Sequence, residues 1–224
     1  DADIVLATDP DADRLGVYAK DTKTGEYVAF TGNMSGMLIA EYILREKTAT
    51  GTMPENPALV TTIVTTNMTK PITEAYGVKL IEVLTGFKFI GEQIGFLEAK
   101  GEESRYIFGF EESYGYLSGA HVRDKDAVTA CVMITEMAAY YFEQGMTLAQ
   151  ALDALYEKYG FYGERTLNLV MPGLDGLEKM RALMAQLRRE PLQEIAGTKV
   201  VRMRDYQDGS VYVMGLGKMD KTPI

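Results

Sequence analysis

The strongest constraint on the fold is an alternation of apolar, strand-like runs with helical stretches in the middle of the chain. Three strands are predicted, over Ala58–Val64, Val78–Val83 and Tyr106–Phe110, and three helices, over Thr69–Tyr76, Lys88–Lys100 and Asp126–Glu143. Alternation of this kind is typical of a mostly parallel sheet covered by helices on both faces. We therefore predict an α/β fold. Ligands of such sheets bind beyond the carboxyl ends of the strands, so the turns after the second and third strands should be functional.

The flanking segments carry different patterns. Before the alternation we predict two strands within Asp3–Ala19, a strand over Tyr27–Phe30 and a helix over Met34–Lys47. The apolar run Ile4–Ala7, in the first of these strands, indicates that this strand is buried. The stretch Ala49–Pro57, with one glycine and two prolines, is predicted to be a linker between two domains. Predicted after it are helices over Leu148–Tyr159 and Gly176–Arg189, and strands over Glu164–Met171, Lys199–Met203 and Val211–Met214.

Charge and cysteine content narrow the function classes. The 224 residues carry a formal net charge of −9, which disfavours binding to nucleic acid. The single Cys131 excludes an internal disulfide framework and favours a cytoplasmic setting. No apolar run reaches the roughly 18 residues that a membrane helix needs, and no signal peptide is visible. Because the chain begins at Asp1, directly before a strand, we expect it to be a fragment.

An acidic turn, Asp9-Pro10-Asp11-Ala12-Asp13-Arg14, follows the first strand. Three carboxylates at alternate positions repel one another unless a cation lies between them. Mg²⁺ is a hard ion that prefers oxygen ligands, and Arg14 adds a fixed positive charge suited to a phosphate oxygen. The turn therefore predicts a metal site for phosphoryl chemistry at Asp9, Asp11 and Asp13. A ligand-free acidic turn after a core strand is the alternative.

Three other motifs place aspartates in a similar way. A calcium-binding EF-hand loop needs glycine at the sixth position and glutamate at the twelfth, where this chain has Arg14 and Lys20, so that alternative fails. A haloacid-dehalogenase-like phosphatase would use Asp9 as nucleophile, but it needs a later acidic motif for which no convincing candidate exists. The aspartate motif of sugar transferases does not predict Arg14.

A second candidate is the glycine-flanked turn Gly109-Phe110-Glu111-Glu112-Ser113-Tyr114-Gly115, at the end of the third predicted strand. Its carboxylates and hydroxyl suit recognition of sugar hydroxyls by paired acceptors and donors. The turn at Leu84-Thr85-Gly86-Phe87-Lys88 leads into a helix whose amides and Thr85 could meet a phosphate or hydroxyl. A plain surface turn is the alternative for each.

A third candidate is His121-Val122-Arg123-Asp124-Lys125-Asp126, at the start of a long helix. The positive end of the helix should lower the pKa of Lys125, and Arg123 could strengthen that effect. A lysine poised in this way can act as general acid and base. A solvated charge run is the alternative, and His121 could equally be structural.

Together these segments resemble the α-D-phosphohexomutase superfamily, specifically bacterial α-phosphoglucomutases and the phosphomannomutases grouped with them. The matching segments are Thr8–Arg14, Thr85–Gly91, Gly109–Gly115 and Arg123–Asp126. The family has four domains around one cleft and interconverts hexose 1- and 6-phosphates through a bisphosphate. The resemblance implies a phosphoglucomutase domain 3 type fold with partial flanking domains.

The resemblance also implies roles for single residues. Asp9, Asp11 and Asp13 would bind Mg²⁺, and Arg14 would face the phosphorylated serine or the substrate. Glu111, Ser113 and Thr85 would hold the sugar, and Lys125 would be general acid/base and a substrate contact. The implied substrate is a hexose phosphate, with glucose 1,6-bisphosphate as the intermediate. The Glu-Glu-Ser form of the sugar motif looks like the glucose-type enzymes, whereas enzymes that use both glucose and mannose often carry Glu-Met-Ser.

Two motifs of the family are absent. Its nucleophilic serine lies in a Thr-Ala-Ser-His-Asn-Pro-like loop, and no serine of this chain has that context; the Arg-Pro-Ser-Gly-Thr phosphate clamp is also lacking. We therefore expect residues 1–50 to be the end of domain 2, 54–164 to be domain 3, and 165–224 to be a linker and the incomplete start of domain 4. Domains 1 and 4 would be partners, and the fragment should be inactive alone. A phosphomannomutase, a phosphopentomutase or a non-catalytic sugar-phosphate-binding module remain alternatives.

Overall fold

A computed structural model describes residues 2–164, 169–215 and 217–221. The chain divides into two compact units, Asp1–Glu164 and Arg165–Ile224. The first unit contains all the sequence motifs introduced above. Among the described residues, no helix has the length and apolar character needed to cross a membrane.

The first unit alternates strands and helices along the chain. Its elements are β1 (Ile4–Thr8), β2 (Leu15–Lys20), β3 (Tyr27–Phe30), α1 (Gly32–Ala49), β4 (Ala58–Thr62), α2 (Thr69–Ala75), β5 (Lys79–Val83), α3 (Phe87–Glu98), β6 (Tyr106–Phe110), β7 (Tyr116–Ser118), α4 (Ala127–Glu143) and α5 (Leu148–Tyr159). A short 3₁₀ turn, Glu103–Arg105, precedes β6. Most predicted strands and helices of this unit are present, with ends shifted by a few residues.

Two sheets organise these elements. Strands β1, β2 and β3 form an antiparallel meander in that order. The other sheet has the order β5-β4-β6-β7, in which β4 is parallel to β5 and β6 while β7 returns antiparallel to β6. The predicted α/β fold with a mixed, mostly parallel sheet is therefore confirmed. β7 was not predicted, because its three residues lie within a glycine-bearing stretch that reads as a loop.

Helices cover both faces of the mixed sheet. On one face Leu59 and Phe108 join a core built with α1, α4 and α5. On the other face Val60 packs with α3 residues such as Ile90 and Ile94. Because successive strand residues point to opposite faces, the apolar runs in β4 and β6 supply both clusters.

α1 connects the meander to the mixed sheet. It begins after Thr31, whose side chain accepts a hydrogen bond from the amide of Met34. Eleven of its residues are buried, and the same apolar cluster includes Leu15 and Val17 of β2. The predicted linker Ala49–Pro57 therefore lies inside the first unit and does not separate two compact bodies. The division between the units falls at Glu164/Arg165, where the third predicted segment begins.

Burial differs from expectation in β1 and α4. β1 is an edge strand, and its Val5 is 45% exposed although the apolar run predicted a buried strand. α4 has a largely apolar sequence, from which we expected a buried helix, yet Val128 and Val132 are exposed because only one side of the helix packs on the core. Apolar composition predicts that a surface can be covered, whereas coverage depends on which neighbours the fold provides.

The second unit holds one helix and several short strands. Its elements are α6 (Gly176–Arg189), β8 (Glu194–Ile195), β9 (Thr198–Lys199), β10 (Arg202–Asp205), β11 (Ser210–Val213) and β12 (Gly217–Lys221). β10, β11 and β12 form an antiparallel sheet, and the predicted strand Lys199–Met203 is split between β9 and β10. Of the predicted strand Glu164–Met171, residues 165–168 lie outside the described residues, and Glu164 and residues 169–171 are not in a strand.

Candidate active site at three converging loops

The acidic turn joins β1 to β2 and is organised by the carboxylate of Asp9. Asp9 Oδ1 accepts hydrogen bonds from the amides of Asp13, at 3.2 Å, and Arg14, at 3.0 Å. These donors, with Arg14 the stronger, lower the pKa of Asp9 and favour its charged form. Ala12 takes the left-handed conformation with φ of 55°, which turns the chain tightly enough to bring Asp13 back towards Asp9.

The three aspartates of the turn form a candidate metal site. One carboxylate oxygen from each of Asp9, Asp11 and Asp13 lies within 4.8 Å of the other two. Asp13 Oδ1 is buried and has no hydrogen-bond partner among the described residues, and Arg14 Nε lies 3.7 Å away. A buried carboxylate oxygen without a donor is costly unless a cation meets it. The turn therefore fits a hard divalent cation such as Mg²⁺, whose preferred ligands are oxygens.

The turn from Glu111 to Gly115, called the sugar loop below, lies between β6 and β7. The Glu111 amide donates to the carbonyl of Gly115 at 2.9 Å, which closes the loop. Glu111 is buried, and its Oε1 accepts from the amide of Gly86 at 3.0 Å. Burial raises the pKa of Glu111, and the Gly86 hydrogen bond opposes that rise. The sugar loop and the turn after β5 therefore meet through this carboxylate.

Backbone contacts join the acidic turn to the sugar loop. Arg14 and Gly115 form an isolated antiparallel bridge. Leu15, the first residue of β2, donates its amide to the carbonyl of Tyr114 at 3.1 Å. Two motifs that are far apart in sequence are thus neighbours.

Lys125 completes the arrangement from the segment before α4. Its Nζ lies 2.7 Å from Asp13 Oδ2 and 3.3 Å from Asp124 Oδ1. The stem passes Gly115, where a Cβ would come within 2.5 Å of Lys125 Cδ, so a side chain there would displace the lysine. The absence of a side chain at Gly115 therefore allows Lys125 to reach the acidic turn.

The predicted pKa shift of Lys125 is wrong in sign. Burial lowers the pKa of Lys125, but the ion pairs with Asp13 and Asp124 outweigh burial and raise the pKa above its usual value. The prediction considered only the positive end of α4 and missed Asp13. Arg123 does not assist Lys125, because its guanidinium pairs with Glu98 and donates to the carbonyl of Ala120.

The remaining predicted residues lie on or next to these loops and at the start of α4. Thr85 is exposed and directly precedes Gly86, and Ser113 is half-buried within the sugar loop. Arg14 is exposed beside Asp13. His121 Nε2 lies 3.1 Å from Asp126 Oδ2, at the residue that caps α4, so its observed contact is with the helix start.

Sequence reasoning placed Gly86 and Phe87 in a candidate turn but missed their contacts, and it missed Thr62 altogether. Gly86 donates to Glu111, and the ring of Phe87 lies 5.9 Å from Lys125 Nζ. Thr62, at the end of β4, reaches the sugar loop through a hydrogen bond to Glu112 Oε2 at 3.4 Å. The position of Thr62 at the carboxyl end of a central strand was the one available signal.

Known proteins resemble this chain in sequence and in fold. The family described as phosphoglucomutase/phosphomannomutase, alpha/beta/alpha domain III, matches residues 31–159. A phosphoglucomutase from Staphylococcus aureus (strain bovine RF122 / ET3-1) is 37% identical over 211 residues, which cover 94% of this chain and 37% of that protein. Its counterpart from strain USA300 is 36% identical over the same length. The chain therefore spans little more than a third of these relatives.

Two solved structures share the fold. The phosphoprotein pp63/parafusin (phosphoglucomutase) from Paramecium, in its open form, matches with a TM-score of 0.58 at 20% identity, over 94% of this chain and 34% of that one. A phosphoglucomutase/phosphomannomutase family protein from Burkholderia thailandensis matches with a TM-score of 0.53 at 18% identity, over 94% of this chain and 39% of that one.

Proposed function

Since the chain belongs to the phosphoglucomutase/phosphomannomutase family, we propose that it is the part of a phosphohexomutase that binds the metal and the sugar. The proposed reaction moves a phosphoryl group between the 1- and 6-positions of a hexose, with glucose 1-phosphate and glucose 6-phosphate as the favoured pair. The single observation that carries the proposal is the 2.7 Å contact between Lys125 Nζ and Asp13 Oδ2, which joins an acid/base candidate to the candidate metal turn.

The oxygen ligands of the proposed metal are Asp9, Asp11 and Asp13. When bound there, Mg²⁺ would supply positive charge that offsets the negative charge of a transferring phosphoryl group. Arg14, exposed at the end of the same turn, is placed to hold a phosphate oxygen by its guanidinium. The turn would therefore hold the anionic end of the substrate.

The sugar loop would bind the uncharged part of the substrate, which is the sugar. Glu111 offers acceptors and Ser113 offers both a donor and acceptors, which is the combination that pairs of sugar hydroxyls require. Thr85 lies on the neighbouring turn, next to the amide that Glu111 binds. A sugar held here would place a hydroxyl near Lys125, because Gly115 packs against the stem of that lysine.

Lys125 is the proposed general acid and base. Its ion pairs keep a proton on Nζ, and this proton can pass to the sugar oxygen whose bond to the phosphoryl group breaks. The neutral amine can then take a proton from the sugar hydroxyl that attacks the next phosphoryl group. We propose that the phosphorylated serine is supplied by a part of the enzyme that this chain does not include, and that glucose 1,6-bisphosphate is the intermediate. By itself the chain should not convert glucose 1-phosphate into glucose 6-phosphate, and measurable conversion would contradict this proposal.

Metal binding tests the acidic turn directly. Isothermal titration of the chain with Mg²⁺ should show a site that Asp11→Asn weakens at least tenfold. Glu92→Gln is the matched control, since Glu92 is exposed on α3 and its replacement removes the same charge. Equal Mg²⁺ affinity in Asp11→Asn and the parent would refute the proposed metal site.

Turnover tests Lys125 in the longer enzyme that contains this chain. Lys125→Ala should lower kcat about 10²–10⁴-fold, since a positioned acid/base contributes that much. Assays with glucose 1-phosphate and mannose 1-phosphate, run side by side, would distinguish a phosphoglucomutase from a phosphomannomutase. Near-normal turnover by Lys125→Ala would refute its assigned role.

A further inference from the structure

Two adjacent glutamates of the sugar loop are anchored to different elements. Glu111 Oε1 accepts from the amide of Gly86, after β5. Glu112 is half-buried, and its Oε2 lies 3.4 Å from Thr62 Oγ1, at the end of β4. Neighbouring carboxylates therefore extend from the same loop to two separate strand ends.

The hydrogen bonds behind Glu112 have one consistent direction. The Thr62 amide donates to Thr65 Oγ1 at 3.2 Å, and the two threonine hydroxyl oxygens are 2.8 Å apart. Since a carboxylate oxygen only accepts, the Thr62 hydroxyl donates to Glu112, and the Thr65 hydroxyl in turn donates to Thr62. Thr62 is 1% exposed and Thr65 is 7% exposed. Removing the carboxylate would leave a buried hydroxyl without its acceptor.

The backbone of the sugar loop is confined by α1. A Cβ on Gly32, the first residue of α1, would lie 2.2 Å from the carbonyl oxygen of Glu112 and 2.8 Å from the amide of Tyr114. The loop backbone therefore packs against Gly32 at a place where a side chain would not fit. The hydrogen bond to Thr62 then restrains the side chain that lies between Glu111 and Ser113.

We propose that Glu112 is a positioning residue, which holds the sugar loop through Thr62 and Thr65 and so sets the places of Glu111 and Ser113. The proposal rests on the proposed function only in taking those two residues as the sugar ligands. The middle glutamate of the Glu-Glu-Ser motif then binds a pair of threonines at the end of β4 and does not bind the sugar.

Amide hydrogen exchange of the whole chain, measured by NMR, tests the anchor without any assay of function. In Glu112→Met and in Thr62→Val, the amides of Gly86 and Glu111 should exchange roughly tenfold faster, since both depend on the loop staying closed. The amide of Ile134, inside α4, should be unchanged and reports that the fold is intact. Unchanged exchange at Gly86 and Glu111 in both variants would overturn the proposal.

Conservative variants separate the anchor from general damage. Glu112→Gln keeps an oxygen acceptor and Thr62→Ser keeps the hydroxyl, so both should restore exchange to within about twofold of the parent. If the Ile134 amide loses its protection in Thr62→Val, that variant has failed to fold. The comparison of Glu112→Met with Glu112→Gln then decides the question, since Glu112 is only half-buried.

Kinetics in the longer enzyme distinguish an anchor from a direct sugar contact. Glu112→Met and Thr62→Val should raise the sugar-phosphate KM by a similar factor, and the double variant should be no worse than either single one. If Glu112→Met raises KM while Thr62→Val leaves KM and amide exchange unchanged, Glu112 binds the sugar itself and the proposal is wrong. If the enzyme lacks mutase activity altogether, the proposed function fails while the exchange result still stands.

Discussion

At the scale of single residues, two charged groups of the candidate site have well-defined local partners. Asp9 has two backbone amides, and Lys125 is shared by Asp13 and Asp124. Glu111 differs, because it is buried with one amide donor. Functional carboxylates held at a cost in stability are typical of active sites.

Glu111→Gln should therefore stabilise the chain at neutral pH. Burial raises the folded-state pKa of Glu111 above its unfolded value, so the charged form costs stability once the pH exceeds both values. The glutamine keeps an oxygen for the amide of Gly86 but has no charge to bury. Thermal unfolding should show a higher Tm for the variant at pH 7, with a gap that narrows as acid protonates Glu111 in the parent.

The exposed Glu92→Gln gives the reference for charge loss alone and should show no such pH-dependent gap. A Glu111→Gln variant that is less stable than the parent at pH 7 would mean that the carboxylate is stabilised by its surroundings. In that case burial would not be its dominant influence.

At the scale of elements, α1 is central to the packing of the first unit, with eleven buried residues. Gly36, the fifth residue of α1, lies against the ring of Phe110, and a Cβ there would come within 2.1 Å of that ring. Phe110 is fully buried at the end of β6, directly before the sugar loop. The contact between helix and strand therefore has no space for a methyl group.

Two glycine-to-alanine changes should have opposite effects. Gly36→Ala should destabilise the chain by about 1–3 kcal/mol, because overpacking outweighs the better helix propensity of alanine. Gly95→Ala, in α3, meets no described atom within 4 Å and should stabilise the chain by about 0.5–1 kcal/mol. Urea unfolding of both variants provides the comparison, and a stabilising Gly36→Ala would show that α1 and β6 can separate.

Element positions were largely readable from the chain. α5 and α6 have the predicted bounds, because each carries a helical period bounded by recognisable ends, such as Thr147 with Gln150 before α5. β7 escaped notice, since three residues between glycines carry too little periodicity. The burial of β1 was overestimated because its composition says nothing of how many neighbours it has.

At the scale of the whole molecule, the two units differ in their cores. Both apolar clusters of the described residues lie between Leu15 and Leu155 and belong to the first unit. The second unit exposes several large apolar side chains, including Leu174 and Val201. Its described part buries little apolar surface of its own.

A chain shortened to residues 1–164 should therefore fold cooperatively by itself. Its core clusters are complete without the second unit, so calorimetry should show one transition with a Tm close to that of the first unit in the full chain. Far-UV circular dichroism provides a check on helix content. A broad, non-cooperative transition would mean that the second unit is needed for stability of the first.

The sequence by itself determined the α/β alternation and the family, and it singled out the candidate site motifs, because these depend on local period and on residue types at fixed spacing. Tertiary structure alone decided how the motifs combine. It brought Asp13 to Lys125 and reversed the expected pKa shift, and it placed Thr62 behind Glu112. It also placed residues 1–50 and 54–164 in one compact unit. These outcomes depend on distances between residues that are far apart along the chain, which a local pattern cannot encode.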